Sequence, residues 1–442
     1  MSRFFSIALG FLLMFNSATS FSALDLELTR GVIGAIPVAV NLFDGDRKDM
    51  TGSQSMTSVI ASDLNHSGQF NASQLQLKTP SDISKVDLSK WQSRGVNDVL
   101  FGKITALSDK QFQVTIDLLN VFAKAQNASS NPAQPVILSD SFTTNQAGLR
   151  QLSHHISDLV YEKLTGVKGI FSTKIAYILV QRTANQPTVY SLEIADQDGF
   201  NEQTLLRSYQ PVMSPAWSPD GQKLAYVSFE NKRAEIYIQD IKTGEREVVS
   251  QVPGINGAPA FSPDGARLAL VLSKSGSPKI YVMDVNSGAL TQITHGYAID
   301  TEPTWSPDGQ SILFTSSRGG NPQIYQYSFV NRAVSRLTFD GNYNARPRFL
   351  PDASGFVMMH RDKGLFGIGV QYLQNARLSV LTRSGKDESP SVSPNGKMVL
   401  YASSYAGRHV LAMVSIDGRV KLRLPAKQGS VQEPAWSPFL SS

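Results

Sequence analysis

The second half of this chain repeats itself. A proline-centred signature occurs six times: PAWSPDG from Pro215, PAFSPDG from Pro259, PTWSPDG from Pro303, PRFLPDASG from Pro347, PSVSPNG from Pro390 and PAWSPF from Pro434. The steps are 44, 44, 44, 43 and 44 residues. A fixed period of this length makes each unit one supersecondary element that buries its faces against its neighbours. Alternating apolar runs follow four of the signatures, at residues 223–228, 267–273, 311–317 and 398–404, and read as strands. A further strand holds an Ile-Tyr pair in three units (Ile236-Tyr237, Ile280-Tyr281, Ile324-Tyr325), and a turn at Thr243-Gly244 or Ser287-Gly288 leads into another. Together with the strand bearing the Trp or Phe, this makes four antiparallel strands per unit, which is a propeller blade.

Six signatures imply six blades. Residues 174–208 hold three strands that lack an innermost partner, and the signature at Pro434 supplies an innermost strand with no sequel. The two segments are expected to complete one blade together, pairing edges that an open ring would expose. Ser-Pro-Asp-Gly suits a β-turn, so the recurring Asp220, Asp264 and Asp308 read as turn formers. Trp217, Trp305 and Trp436, with Phe261 and Phe349 in register, read as filling between blades.

Ahead of the repeat, Arg3 is the only charge before Asp25, and an apolar run from Phe4 to Phe15 precedes NSATSFSA. Residues 1–22 read as a secretory signal peptide, cleaved after Ser20 or Ser22, because a membrane span needs about 20 apolar residues. Residues 23–168 lack the period and are expected to form an α/β domain. Its strands are placed at 35–43, 97–107, 112–122 and 135–142, its helices near 50–65 and 149–165, and a loop or long hairpin tip at 124–135. The fold class is therefore two-domain: an N-terminal α/β domain followed by a six-bladed β-propeller, residues 169–442, closed by the C-terminal strand.

Composition narrows the function. Hydrophobic residues at 41%, charged residues at 17% and a mean hydropathy of −0.15 exclude a disordered or polytopic membrane chain. A formal charge of +5 without basic runs gives no footprint for nucleic acid. The absence of cysteine excludes disulfides, thiolate nucleophiles and Cys-ligated metal sites. G-x-S-x-G, H-E-x-x-H, the P-loop pattern and a strand-to-helix G-x-G-x-x-G are all missing. No catalytic residue, cofactor or metal is expected. His154 and His155 are helix neighbours about 100° apart, which fits a helix surface or packing pair rather than shared ligation. Acidic residues gather just before the signatures, at Asp300, Glu302, Asp387, Glu388 and Glu433, where blade connections converge on the channel mouth. They fit a partner-binding rim, a cation site or simple solvation.

Several stretches are more specific than a turn signature: YEKLTGVKGIFSTKIAY (161–177), QPVMSPAWSPDGQKLAYVSFE (210–230), NGAPAFSPDG (256–265), TEPTWSPDG (301–309) and LPAKQGSVQEPAWSPFL (424–440). With them the chain resembles the TolB family, the periplasmic components of the Tol-Pal system of Gram-negative bacteria. The resemblance implies a soluble periplasmic adaptor without catalysis, binding the lipoprotein Pal through the propeller and TolA through the N-terminal region. The resemblance further implies a role in outer-membrane integrity and invagination during division. The implied Pal face falls on Gly257, Ala258, Thr301 and Glu302, with Asn256, Arg346, Glu388 and Glu433 in related segments. Ile255 departs from the family pattern, where a polar residue is expected. The implied TolA segment is Leu24, Asp25, Leu26, Glu27, Leu28 and Thr29. Its alternating leucines suit addition to a partner's sheet edge, or an ordinary edge strand of the N-terminal domain. The rival reading is a propeller-fold periplasmic polysaccharide lyase or hydrolase using Glu302 or Asp387.

Overall fold

A computed structural model of the chain describes residues 25–28, 34–47, 54–77, 83–108, 110–123, 136–424 and 429–440. The expected signal peptide lies outside these residues. No helix among them is long and apolar enough to cross a membrane.

The first unit is a five-stranded sheet in the order Phe70–Leu75, Ile36–Asn41, Asp98–Ser108, Gln111–Asn120, Val136–Asn145. Ile36–Asn41 runs parallel to Phe70–Leu75, so the connection between them must cross over, and helix α1 (Met56–His66) makes that crossing. The Asp46 carboxylate meets the start of α1, accepting from the Met56 and Thr57 amides at 3.1 and 2.9 Å, where a helix has unsatisfied donors. A short helix α2 (Ser89–Gln92) covers the opposite sheet face with Trp91. Helix α3 (Leu149–Thr165) buries Leu149, Leu152, Ile156 and Val160 beside α1 and ends at Gly166, whose φ of 73° is left-handed. Two elements were not legible in the sequence. Phe70–Leu75 (FNASQL) has little intrinsic strand preference and owes its conformation to pairing, and α2 is a single turn.

The second unit is a propeller of six four-stranded blades, one of them extended by a fifth strand. In blade II, Val212–Trp217 lies innermost and is followed outward by Lys223–Ser228, Glu235–Asp240 and Arg246–Ser250. Blades III, IV, V and VI open with Asn256–Phe261, Asp300–Trp305, Tyr343–Phe349 and Glu388–Val392. Blade I is composite: C-terminal Ser430–Trp436 pairs antiparallel with Lys174–Gln181, which continues into Val189–Asp196 and Gln203–Ser208. Its seam with blade VI packs Ile175, Leu179, Trp436 and Val431 against Leu400, Met413 and Leu422.

The signature turns behave as the repeat predicts. The Ser218, Ser262 and Ser306 hydroxyls donate to Asp220, Asp264 and Asp308, whose carboxylates also accept the backbone amide two residues on. These bonds hold Asp264 and Asp308 below the ordinary carboxylate range. The tryptophans bridge blades: the Trp305 indole donates to Ala260 O and the Trp217 indole to Ala435 O, both at 3.0 Å.

The α/β unit rests on the signature-turn end of blades I and VI. Asn395, in blade VI's signature turn, donates to Lys168 O at 2.9 Å, and Lys168 lies over the Phe439 ring. A buried charge network crosses the junction. His154 Nδ1 is 2.8 Å from Asp63 Oδ2 on α1, and its Nε2 is 3.6 Å from Asp198 in a blade I turn. Arg150 pairs with Asp198, and Lys174 with Asp196 at 2.9 Å. Burial pulls the His154 pKa down, but the Asp63 charge and hydrogen bond outweigh it, with help from Asp198, and raise it to about 9. Asp63, His154 and Asp198 have ligand atoms within 4.8 Å of one another, a spacing a metal could use. Arg150 and protonated His154 already supply the positive charge there. Of the two expectations for the histidine pair, helix surface or packing, His154 departs from the first: it is buried and ion-paired between the two units. His155 packs edge-on against Phe142.

Candidate partner-binding site at the channel mouth

Each blade's innermost strand starts at the channel end remote from the α/β unit, and each is interrupted by a bulge at the same step of the repeat. Register shifts separate Met213 from Ala216, Gly257 from Ala260, Thr301 from Thr304, Ala345 from Arg348, Glu388 from Ser391 and Gln432 from Ala435. The residue before proline adopts positive φ in all six: Ser214 53°, Ala258 43°, Glu302 55°, Arg346 55°, Ser389 54° and Glu433 48°. For a residue with a Cβ this conformation costs about 1–2 kcal/mol. Bulges re-aim side chains, and these six all line the channel, whose cavity is about 470 Å³.

Ionic bonds tie the mouth across several blades. Arg346 Nε lies 2.7 Å from Glu302, and Arg346 Nη2 lies 3.3 Å from Glu433. The Arg346 guanidinium also donates to Ser389 Oγ, and Glu433 accepts the Ser214 amide. Burial works against the Arg346 charge, but Glu302, Glu433 and Glu388 overcome it and raise its pKa. Two residues further in, Arg348 donates to Pro347 O at 2.7 Å, and burial lowers its pKa.

Around this polar centre the blade connections expose Tyr209, Ile255, Tyr297, Ile299 and Phe339, with Tyr297 fully exposed. Exposed apolar groups set around a polar mouth have the make-up of a candidate protein-docking surface. The sequence reading missed these residues except Ile255. Their signal was present: connections such as HGYAID and FDGNYN carry large apolar groups where a turn needs none.

Gly257, Ala258, Thr301, Glu302, Arg346 and Glu433 gather at the mouth, half-buried. Asn256 does not present its side chain. It is 1% exposed, accepts from Ser250 Oγ and the Val252 amide and donates to Val252 O, so it shapes the connection from within. Glu388 turns to His409, 3.6 Å away. The acidic cluster divides: Glu302 and Glu433 face the channel, whereas Asp300 and Asp387 are internal. Asp300 is held by Arg318 at 2.9 Å, and Asp387 accepts from Ser403 at 2.6 Å. At the other end of the chain, Asp25–Leu28 pairs antiparallel with Val420–Arg423 as a fifth strand of blade VI, in the register Asp25 to Arg423 and Glu27 to Lys421. It is an edge strand of the propeller, not of the α/β domain as one alternative had it. Leu24 and Thr29 lie outside the described residues.

Fold and mouth together define an α/β-capped six-bladed propeller with a polar channel mouth. Comparison with known proteins gives the same class. The TolB amino-terminal domain pattern matches residues 24–127 and the TolB beta propeller domain pattern matches residues 161–440. The Tol-Pal system protein TolB of Coxiella burnetii is 62% identical over 424 residues, covering 95% of each chain. That of Pseudomonas aeruginosa is 50% identical and covers 100% of both chains. The crystal structure of TolB from Acinetobacter baumannii superposes with a TM-score of 0.84 at 39% identity, covering 94% of this chain and 100% of that one. The chain belongs to the TolB family.

Proposed function

We propose that the chain is a non-catalytic periplasmic adaptor of the Tol-Pal complex, holding Pal at the channel mouth and TolA through residues 24–29, in support of outer-membrane integrity and division. The observation that carries this reading is the mouth itself, where six strained pre-proline residues set a polar centre inside an apolar rim. The enzyme reading loses its residues: Glu302 is ion-paired to Arg346, and Asp387 is 1% exposed.

The test is a pull-down of the mature protein with a Pal periplasmic domain, using Ala258→Arg and Thr301→Arg. Blade V already holds an arginine, Arg346, at the step equivalent to Ala258 and with the same positive φ, so Ala258→Arg suits the fold. Both variants are expected to lose at least about tenfold in affinity through a buried clash at the patch centre. Retention of the parent's affinity by both, or no binding by the parent, rejects the assignment. Deleting residues 24–29 is expected to abolish TolA binding, and unchanged affinity would remove the segment's role.

A further inference from the structure

The channel holds a second ring of side chains below the mouth. On each innermost strand the residue after proline also lines the cavity, giving Ala435, Ala216, Ala260, Thr304, Arg348 and Ser391 in blades I to VI. The ring is split in two. Blades I, II and III contribute only methyl groups, whereas the neighbouring blades IV, V and VI contribute hydrogen-bond donors. Those donors are largely unused. Arg348 is the one charge of the ring; its guanidinium donates through Nη1 to Pro347 O at 2.7 Å and makes no ion pair among the described residues. The mouth carboxylates Glu302 and Glu433 are already held by Arg346. Thr304 Oγ1 has no hydrogen-bond partner among the described residues, and Ser391 Oγ accepts the Trp436 amide at 2.8 Å, which leaves its own hydrogen to donate.

A cation withdrawn from water without a counter-ion is costly. Burial lowers the Arg348 pKa more than the distant Glu302 and Glu433 raise it, so its charge is under-compensated. A guanidinium and two hydroxyls on three adjacent blades, all lining one cavity, call for an anion. The make-up of the ring narrows which one. A guanidinium presents a planar fork that matches a carboxylate, and the alanine half offers no donor to the further oxygens of a tetrahedral anion. A carboxylate on a short apolar stem satisfies both halves, with its oxygens toward Thr304, Arg348 and Ser391 and its carbons toward the alanines. We propose that the channel ring below the mouth is a carboxylate site centred on Arg348. The ring lies inward of the mouth residues, and its ligand does not depend on the Pal and TolA reading.

The experiment is isothermal titration of the full mature protein with propionate, with propionamide and sulfate as controls. Millimolar propionate is expected to bind, with both controls at least about tenfold weaker, since propionamide lacks the charge and sulfate the planar, half-apolar form. Arg348→Ala copies the residue that blades I, II and III already carry at this step. It is therefore expected to keep the parent's melting temperature while losing about tenfold or more in propionate affinity. Thr304→Ala copies the same residue and is expected to weaken binding about three- to tenfold. Arg348→Ala is also titrated with a Pal periplasmic domain: a weaker complex assigns the carboxylate to the docked partner's chain, and an unchanged one to a free acid. The proposal is overturned if propionate does not bind, if propionamide or sulfate binds as well, or if either variant retains the parent's propionate affinity.

Discussion

Six residues before proline hold a left-handed backbone at the mouth, and only their side chains differ from blade to blade. A common scaffold therefore displays a variable ring: Ser214, Ala258, Glu302, Arg346, Ser389 and Glu433. Arg346 is its hinge, since removing it strands Glu302 and Glu433, each about one-fifth exposed, without their shared cation. Arg346→Ala is expected to cost about 1–3 kcal/mol in urea unfolding, between the values for exposed and buried ion pairs. An unchanged midpoint would show that the bridge is held by solvent alone. At this scale the sequence was partly legible. The period exposed the turn aspartates and bridging tryptophans because each recurs in the same role. It could not tell Asp300 from Glu302, since the bulge that holds Glu302 at positive φ breaks the alternation that sorts inward from outward positions.

Among the elements, α3 joins the two units. Its apolar face was readable from spacing and its stop from Gly166, but the role of His154 was not, because both carboxylates that hold it come from distant segments. The bound proton has a consequence for stability. The folded pKa of about 9 lies above the ordinary 6.5, so the contribution is complete below about pH 6.5 and is lost as pH rises through 9. Urea unfolding between pH 6 and pH 10 is expected to show a decline of up to about 3 kcal/mol, which His154→Gln should flatten. Equal slopes for parent and variant would place the titration elsewhere.

For the whole molecule, ring closure was legible because the strand inventory left one surplus at the end and one deficit at the start. Deleting residues 429–442 removes the innermost strand of blade I and its buried Trp436, a side chain whose truncation alone costs about 3–5 kcal/mol. Thermal melting of that deletion is expected to show loss of the cooperative propeller transition, and an intact transition would mean that the ring holds without its clasp. The attachment of Asp25–Leu28 to blade VI, next to the blade that the C-terminal strand completes, brings the first and last strands of the described residues to one sector of the circle. A tether pulling on the amino end loads that sector first and peels off an outermost strand before the tension reaches the clasp. The molecule can give up its leading segment under strain while the wheel stays shut.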